Sequence, residues 1–453
     1  MIDSRTIRDA LGLEPSSEPA GRYVGISTDS REIGRGELFV ALRGERHDAA
    51  DYLAQVAARG ARGAIVTVGR EDPELPLEYF GVPDPLAALG ALASAVRRAS
   101  TARVVGITGS SGKTTVKEMV ALALAEGGRV HRTAGNQNSQ VGLPLTILRA
   151  PPAADFWVLE IGASELGEIA RLSEIAAPDD GLITTVGPAH LEAFGDEAGV
   201  LAEKLDLARR TSREGLLVVG ELPPALAEAA RSIRPDAVVA GRGAGADYRP
   251  DTSRVEADRV EFVRGDVRVE VPVGGEHHLR DALLAAAMAE GLGVPLPDIA
   301  RGLAGYHPLG LRGAVRQVGG LTVIADCYNA NPESFRAAIA QCRDLYPGRR
   351  LAAFVGSMLE LGGHEAKAHD DIARLLASSG FALVAATGAF ARRELRAADT
   401  NGTRFIVAEE PDDAWDRFAG DLRGDEVVLV KASRGAHLER VLDRIDREFG
   451  EPG

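Results

Sequence analysis

The chain contains the stretch Val104-Val-Gly-Ile-Thr-Gly-Ser-Ser-Gly-Lys-Thr-Thr115, which passes from a β-branched run through a glycine-rich turn into a helical pattern. Gly109 and Gly112 permit a tight turn in which successive backbone N–H groups point inward. Lys113 supplies a positive charge, and Thr114 supplies a hydroxyl suited to Mg²⁺. Together with the partial positive charge of a helix N-terminus, the stretch predicts a loop that binds the phosphates of ATP or GTP.

The residues predicted to surround the nucleotide phosphates are Thr108, Gly109, Ser110, Ser111, Gly112, Lys113 and Thr114. The strict phosphate-loop pattern has a glycine where Ile107 stands. The alternative is a tight strand–helix turn that carries an ordinary surface lysine. The strand before the loop and the apolar helical spacing after it favour nucleotide binding.

Composition bounds the class of protein. A chain of 453 residues is too long for one core, so about two to four domains are expected. The net charge of −14 argues against a general nucleic-acid or membrane-surface binder. No apolar run is long enough to span a bilayer, the first residues lack a signal-peptide core, and two cysteines make no disulfide framework. We therefore expect a reduced, cytoplasmic protein that inserts into no membrane and binds no nucleic acid.

The order of apolar and polar segments predicts an α/β protein in three parts. Residues 1–98 hold short β-like runs and a helix, residues 99–311 alternate strands with helices, and residues 312–453 begin a second alternating pattern. Such alternation indicates parallel sheets covered by helices. The segment 307–313 reads as a hinge, and the cleft between two such domains is a common place for ligands.

Four further segments carry possible chemistry, each with a structural alternative. Glu160 ends a predicted strand and can bind Mg²⁺ or form a structural ion pair. His190 follows another strand and is either a ligand or a satisfied structural histidine. Lys204 alone reads as a helix-surface lysine. The polar turn at 326–332 can bind a ribose or an amine, or can cap the next helix.

Together these segments resemble the Mur ligases, the ATP-dependent amide-forming enzymes of peptidoglycan precursor assembly. The resemblance covers nearly the whole chain. It rests on the segments Ser27–Arg31 and Leu38–Asp48, on the loop Thr108–Thr115, and on Gly135–Pro144. It implies a small N-terminal UDP-sugar-binding α/β domain, a central ATP-binding domain with a parallel sheet of the P-loop ATPase type, and a Rossmann-like C-terminal domain that binds the amine and closes over ATP.

The resemblance also implies a reaction. The nearest member joins D-alanyl-D-alanine to UDP-N-acetylmuramoyl-tripeptide (UDP-MurNAc-tripeptide), with ATP converting the carboxylate into an acyl phosphate and then leaving as ADP. Such an enzyme is expected to be a monomer. Two Mg²⁺ ions are implied, one held by Thr114 and Glu160 and the other by His190. Lys204 would be carbamylated by CO₂ and would act as a further metal ligand, a role that arginine cannot fill because it stays protonated.

The resemblance assigns the remaining site residues as follows. Catalysis would depend on Lys113, Lys204, His190 and Arg312, the last reaching the ATP phosphates. Further ATP contacts would come from Asp326, at the ribose, and from Asn329. The UDP-sugar would be held by Ser27, Thr28, Asp29, Ser30, Arg31, Gly44 and His47. Other substrate contacts would come from Asn136, Asn138 and Asn331.

Two segments depart from the family pattern. His278 and Asp281 stand where asparagines are usual, one of which helps to hold the adenine, and Ser139-Gln140 replaces an asparagine and an acidic residue. The alternatives that stay open are a related ligase with another amino acid or a substrate outside the cell wall and, from a different class, a P-loop kinase or NTPase.

Overall fold

The first of three α/β parts is a small parallel sheet with flanking helices. The computed structural model describes residues 2–15, 21–44, 47–391 and 402–450. The first elements are β1 (Ile2–Asp3), α1 (Ser4–Leu11), β2 (Arg22–Tyr23), β3 (Ile26–Ser27), β4 (Leu38–Val40), α2 (Leu53–Ala58), β5 (Gly63–Thr67), β6 (Glu78–Val82) and α3 (Pro85–Ala99). Strands β3, β4, β5 and β6 pair in parallel in that order, while β1 and β2 form a separate antiparallel pair.

The central part begins four residues after α3. Its elements are β7 (Arg103–Thr108), α4 (Lys113–Ala125), β8 (Val130–Arg132), α5 (Gly142–Leu148), β9 (Phe156–Glu160), α6 (Glu168–Ala176), β10 (Asp180–Ile183), α7 (Leu191–Phe194), α8 (Glu197–Arg210), β11 (Leu217–Gly220), α9 (Pro224–Ile233), β12 (Val238–Ala240), β13 (Thr252–Val255), β14 (Val260–Arg264), β15 (Val267–Val271), α10 (Glu276–Gly291) and α11 (Leu296–Ala304). Six strands form a parallel sheet in the order β12-β11-β10-β7-β9-β8.

Both faces of this central sheet are buried. Side chains of β7 alternate between two cores, with Val105 facing α4 and α10 and Val104 facing the α6 and α8 side. A strand covered on both faces reads as a continuous apolar run, which is why the sequence pattern marked these strands well. Strands β14 and β15 form a hairpin with its turn at Gly265, and they pair with β13 as a small antiparallel sheet.

The C-terminal part is a second six-stranded sheet. Its elements are β16 (Ala314–Val318), β17 (Leu321–Asp326), α12 (Pro332–Leu345), β18 (Leu351–Val355), α13 (Glu365–Ser378), β19 (Phe381–Thr387), β20 (Arg404–Ala408), α14 (Pro411–Asp421), β21 (Val427–Lys431) and α15 (Glu439–Phe449), with 3₁₀ turns at Ala49–Tyr52, Gly362–His364, Gly388–Phe390 and Arg434–Ala436 along the chain. The strand order is β16-β17-β21-β18-β19-β20, and only β16 runs antiparallel. No helix in the described ranges has the length and apolar character needed to cross a bilayer.

Residues 97–102, where the predicted first part meets the central part, are partly helical. Helix α3 continues to Ala99, and the Arg97 guanidinium lies 2.8 Å from Asp179 of the central part and also donates to the Ala176 carbonyl. Leu89 and Leu92 of the same helix pack in the N-terminal core. A pattern of apolar spacing does not show that one helix contacts two domains.

The C-terminal core offers a test of this packing. Phe354 is fully buried, and its ring packs edge-on against Phe418, 5.2 Å between centroids, and beside Trp415. Phe354→Ala is expected to destabilise this domain by about 3–5 kcal/mol because the cavity cannot collapse fully. Urea unfolding followed by Trp415 fluorescence, in a Trp157→Phe background, measures it. Val407→Ala, at an exposed position of β20, should cost less than about 1 kcal/mol, and an equal loss in both variants would contradict the packing argument.

Candidate active site

The glycine-rich loop lies between β7 and α4, at the carboxyl end of the central sheet. Lys113 folds back over the loop, and its Nζ donates to the Gly109 carbonyl at 2.8 Å. The loop is held by the segment that follows β10: the Ser110 Oγ donates to the Gly187 carbonyl, and Thr184 Oγ1 donates to the Ser111 carbonyl. The backbone N–H groups at the start of α4 therefore face a concave, positively charged site that suits phosphate.

Two glycines in the loop have no room for a side chain. Gly109 has φ of 149°, and a Cβ atom there would lie 2.0 Å from Thr184 Oγ1. Gly112 has φ of 81°, and its Cβ would lie 2.7 Å from Asp281 Oδ1. Glycine is required at both positions by conformation and by space.

Glu160 ends β9 next to this loop and is 1% exposed. One carboxylate oxygen accepts from the Thr114 hydroxyl at 2.9 Å, and the other accepts from Asn138 Nδ2 at 2.7 Å. The structure thus brings together a loop hydroxyl, a carboxylate and an amide from three segments that are distant in sequence. Hard oxygen donors of this kind are the ligands that Mg²⁺ prefers.

Lys204 is buried in α8 and is 1% exposed, so it is not the surface lysine that the helical pattern alone indicates. Its Nζ has no hydrogen-bond partner among the described residues and lies 5.5 Å from the Phe194 ring centroid. Burial, and then the nearby charge of Lys113, lower the pKa of the Lys204 ammonium to about 7. A large fraction of this amine is therefore neutral and nucleophilic near neutral pH.

His190 precedes α7 in a left-handed conformation, with φ of 52°. Its Nδ1 lies 2.6 Å from Glu360 Oε2, a carboxylate of the C-terminal domain. The hydrogen bond to His190 lowers the pKa of Glu360. His190 also packs edge-on with Phe194, the ring that lies near Lys204, so the two predicted metal ligands occupy one neighbourhood.

The C-terminal domain contacts the phosphate loop directly. Asn331 Nδ2 donates to Ser111 Oγ at 3.2 Å, and the Thr185 hydroxyl donates to Glu333 Oε2 at 3.4 Å. Burial raises the pKa of Glu333. Asn331 also caps α12 in a capping box with Ser334, so the helix-capping alternative holds for this residue, while ligand binding by the turn stays a prediction.

The other predicted residues of the C-terminal domain contact residues of their own domain. Asp326 Oδ2 pairs with the fully buried Lys431 at 2.5 Å, and Asn329 Oδ1 accepts from the backbone N–H of Ala330. The Arg312 guanidinium stacks on the Tyr328 ring at 3.7 Å. In the central domain, Asn136 is exposed and contributes only its carbonyl, to the N–H of Asn138.

The residues predicted to hold a UDP-sugar gather at one edge of the N-terminal sheet. Ser27 ends β3, and Asp29 forms a two-point ion pair with Arg31. Gly44 N–H donates to the His47 carbonyl in the turn after β4. Because β3 and β4 are parallel, these turns share the carboxyl edge where open sheets bind ligands. Thr28 and Ser30 lie in the same turn, where the Ser30 carbonyl accepts from Gln55.

His278 and Asp281, two of the residues that depart from the family pattern, lie near the start of α10. The His277 and His278 rings are 4.0 Å apart, and His278 Nδ1 contacts the Gly274 carbonyl at 2.8 Å. Burial lowers the pKa of both imidazoles and raises the pKa of Asp281 well above the ordinary carboxyl range. Asp281 is therefore a buried carboxyl group beside the phosphate loop, where burial favours the neutral form over the charged one.

Comparisons with known proteins agree with this arrangement. The family model described as Mur ligase middle domain matches residues 107–289, and the model described as Mur ligase, glutamate ligase domain matches 312–434. The chain is 35% identical over 441 residues to the UDP-N-acetylmuramoyl-tripeptide--D-alanyl-D-alanine ligase of Escherichia coli (strain K12), covering 92% of each chain. The chain belongs to the Mur ligase family.

Solved structures of Mur ligases extend the match to the whole fold. A crystal structure of MurF from Acinetobacter baumannii superposes with a TM-score of 0.88, at 29% identity and with 98% of each chain covered. MurF ligase from Thermotoga maritima in complex with ADP superposes with a TM-score of 0.80, at 28% identity, covering 94% of this chain and 97% of that one. The three-domain α/β prediction is confirmed.

The residue that sequence reasoning missed in this Mur ligase is Glu360. It lies in the turn after β18, beyond the carboxyl end of a parallel strand, and this position was a signal available in the sequence. Lys431 lies at the end of β21, and its pairing with Asp326 could be found only from the tertiary structure.

The geometry of the loop gives a direct prediction. Gly109→Ala is expected to weaken ADP binding by tenfold or more, roughly 1.4 kcal/mol, because the new methyl group meets Thr184 and the backbone leaves its glycine-only conformation. Isothermal titration calorimetry measures the affinity. Gly245→Ala is the control, since nothing lies within 4 Å of a Cβ there. Unchanged ADP affinity in Gly109→Ala would show that the loop does not hold the phosphates.

Proposed function

We propose that this Mur ligase joins D-alanyl-D-alanine to UDP-MurNAc-tripeptide with conversion of ATP to ADP, in peptidoglycan precursor synthesis. The observation that carries the proposal is the buried, unpartnered amine of Lys204 beside the phosphate loop. A P-loop kinase or switch NTPase has no use for such an amine, whereas a ligase that must neutralise a triphosphate and an attacking carboxylate can convert it into an anionic metal ligand.

The reaction needs activation because a carboxylate is a poor electrophile. The terminal carboxylate of the tripeptide attacks the γ-phosphorus, ADP leaves, and an acyl phosphate results. The dipeptide amine then attacks the carbonyl carbon, and phosphate leaves. Lys113 and the N–H groups at the start of α4 stabilise the negative charge that develops on the transferred phosphoryl group. The protein positions the reactants and excludes water, so no nucleophilic side chain is required.

The residues of this chain suit two Mg²⁺ ions. Thr114 and Glu160 offer a hydroxyl and a carboxylate 2.9 Å apart, and His190 offers an imidazole. Within the described ranges, no group of three or more His, Cys, Asp or Glu side chains gathers to hold a metal, so the second site needs another anionic donor. A carbamate on Lys204 supplies it. When bound, Mg²⁺ lowers the charge repulsion between ATP and the attacking carboxylate.

The assigned roles follow from this reaction. The N-terminal domain, residues 1–98, holds the UDP-sugar with the turn 27–31 and with Gly44 and His47. The central domain, 99–311, holds ATP, and the C-terminal domain, 312–453, brings Arg312 to the phosphates, Asp326 and Asn329 to the nucleoside, and Asn331, with Asn136 and Asn138, to the other substrates. The protein acts as a cytoplasmic monomer.

A phosphate-release assay tests the reaction. Release is expected only when ATP, UDP-MurNAc-tripeptide and D-alanyl-D-alanine are all present, because the acyl phosphate is sheltered from water until the amine arrives. A panel of other UDP-MurNAc peptides and other amines serves as the control. Release without any carboxylate substrate would indicate a simple NTPase, and release with a different amine would indicate a related ligase with another substrate.

Lys204 gives a second prediction. Lys204→Ala is expected to lower kcat by about 10²-fold or more, and short carboxylates such as acetate or formate should restore part of the rate by replacing the carbamate. Lys204→Arg should not be restored, because the guanidinium keeps the space filled and charged. Lys367→Ala, at an exposed lysine paired with Asp371, is the matched control and should behave as wild type.

The carbamate itself has a pH signature. Only the neutral amine captures CO₂, so a ¹³C carbamate signal from labelled bicarbonate should fade as pH falls below about 7, and should be absent in Lys204→Arg. In the unmodified protein, the lowered pKa of Lys204 means that the unfolded chain binds the proton more tightly. Stability should then rise with pH from about 7 toward the ordinary lysine pKa of 10.5. A signal that persists in Lys204→Arg would remove Lys204 as the modified residue.

A further inference from the structure

Two turns at the carboxyl edge of the C-terminal sheet are built as one unit. Residues 356–361 follow β18, and residues 432–436 follow its parallel neighbour β21. The Ser433 N–H donates to the Ser357 carbonyl at 3.0 Å, and the Leu359 N–H donates to Ser433 Oγ at 3.0 Å. Groups carried on these two turns are therefore held in a fixed relation to each other.

The first turn presents Glu360 in an unusual backbone conformation. Its φ of 65° is left-handed, which costs a non-glycine residue about 1–2 kcal/mol. The chain on either side of Glu360 is held in place. Before it, the Met358 N–H donates to His369 Nε2 at 2.9 Å, and after it the side chain of Leu361 is buried. The Glu360 side chain is 57% exposed, and its carboxylate reaches across the domain boundary to His190. It is an ionised group accessible to a ligand at the reaction centre.

The second turn presents Arg434. Its guanidinium lies 5.3 Å from the centroid of the Tyr328 ring, on which Arg312 also stacks. Arg434 is exposed, and within the described ranges it forms no ion pair and its guanidinium makes no hydrogen bond. Lys431, its near neighbour, already has Asp326 as a partner. Arg434 is thus a cation on the C-terminal domain that is free to bind an anionic group.

We propose that Glu360 and Arg434 bind the two ends of the incoming dipeptide, Glu360 the ammonium group and Arg434 the terminal carboxylate. The inference rests on the proposed function, which makes the second substrate a zwitterion. Glu360 is the one of the pair that reaches His190 of the central domain, so the amine end lies toward the activated carbonyl. The bidentate fork of an arginine matches the geometry of a carboxylate.

Two other carboxylates near the site, Glu160 and Glu333, are poorer candidates for binding the ammonium group. Glu160 is already bonded to Thr114 and Asn138, and Glu333 already accepts a hydrogen bond from Thr185. Glu360 therefore remains as the carboxylate able to exchange its histidine partner for a substrate cation. The alternative, that Glu360 serves a metal ion, predicts a loss in acyl phosphate formation before any amine is present.

Arg434 is tested with two forms of the second substrate, D-alanyl-D-alanine and its C-terminal amide. The wild type should show a KM for the amide about ten- to hundredfold above that for the free acid. Arg434→Ala should raise the KM for the free acid by a similar factor and make the two substrates nearly equal, with the KM values for ATP and the UDP-substrate unchanged. Arg447→Ala, at an exposed position of α15, is the control. A preserved preference for the acid, or a raised KM for ATP, would overturn the assignment.

Glu360→Gln should raise the KM for the acid and the amide alike, by about tenfold or more, because the ammonium group is common to both. Acyl phosphate formed without dipeptide, trapped by borohydride reduction, should form at the wild-type rate. Glu365→Gln, on the same domain, is the matched control. Slower acyl phosphate formation, or a raised Mg²⁺ requirement, would assign Glu360 to the metal and overturn the proposal.

The two levels of inference fail in different ways. If the wild type makes no product from UDP-MurNAc-tripeptide and the dipeptide, the proposed function fails and this inference fails with it. If product forms and the variants keep the wild-type KM for the dipeptide, only the assignment of Glu360 and Arg434 fails.

Discussion

The parallel pairing of β7 with β9 on one side and β10 on the other is the constraint on which the site depends. Ile107 lies in register with Glu160, and Thr108 with Ile183, so the phosphate loop, the acidic strand end and the Thr184–His190 segment leave the sheet at one edge. Both faces of the three strands are buried, and a shift of register would move apolar side chains out of both cores. The geometry of the site is therefore fixed by the hydrophobic packing of the sheet.

Local charge at this edge runs against the acidic balance of the whole chain. Lys113 and Lys204 lie close enough for the charge of Lys113 to lower the pKa of Lys204, and the Lys204 amine has no partner among the described residues. A buried, unpaired polar group costs free energy, and such a cost at a phosphate loop is typical of a site whose ligand supplies the missing partner. The net charge of −14 predicts that polyanions are not partners, but it carried no information on the two lysines at this edge of the sheet.

Few polar contacts hold the C-terminal domain against the loop. Among the described residues they include contacts from Asn331, Glu333 and Glu360 to the loop and its neighbours, and Gln341 also donates to the Gly274 carbonyl. Polar interfaces of this kind separate more readily than apolar ones, and a ligase that admits two large substrates needs such a separation. The segment 305–313 between α11 and β16 has no regular structure, and domain movement about it stays a prediction.

The sequence by itself determined the three α/β parts, the strand order along the chain and the phosphate loop, because apolar periodicity and glycine-rich turns are local signals. Strand ends also drew attention to Glu160 and His190 as possible ligands, whereas Lys204 was singled out only through family resemblance. The tertiary structure decided that Lys204 is buried with no partner among the described residues, that Asp281 is buried beside Gly112, and that Glu360 reaches His190. Burial and contacts between distant segments arise only when sheets and domains pack, and no local pattern encodes them.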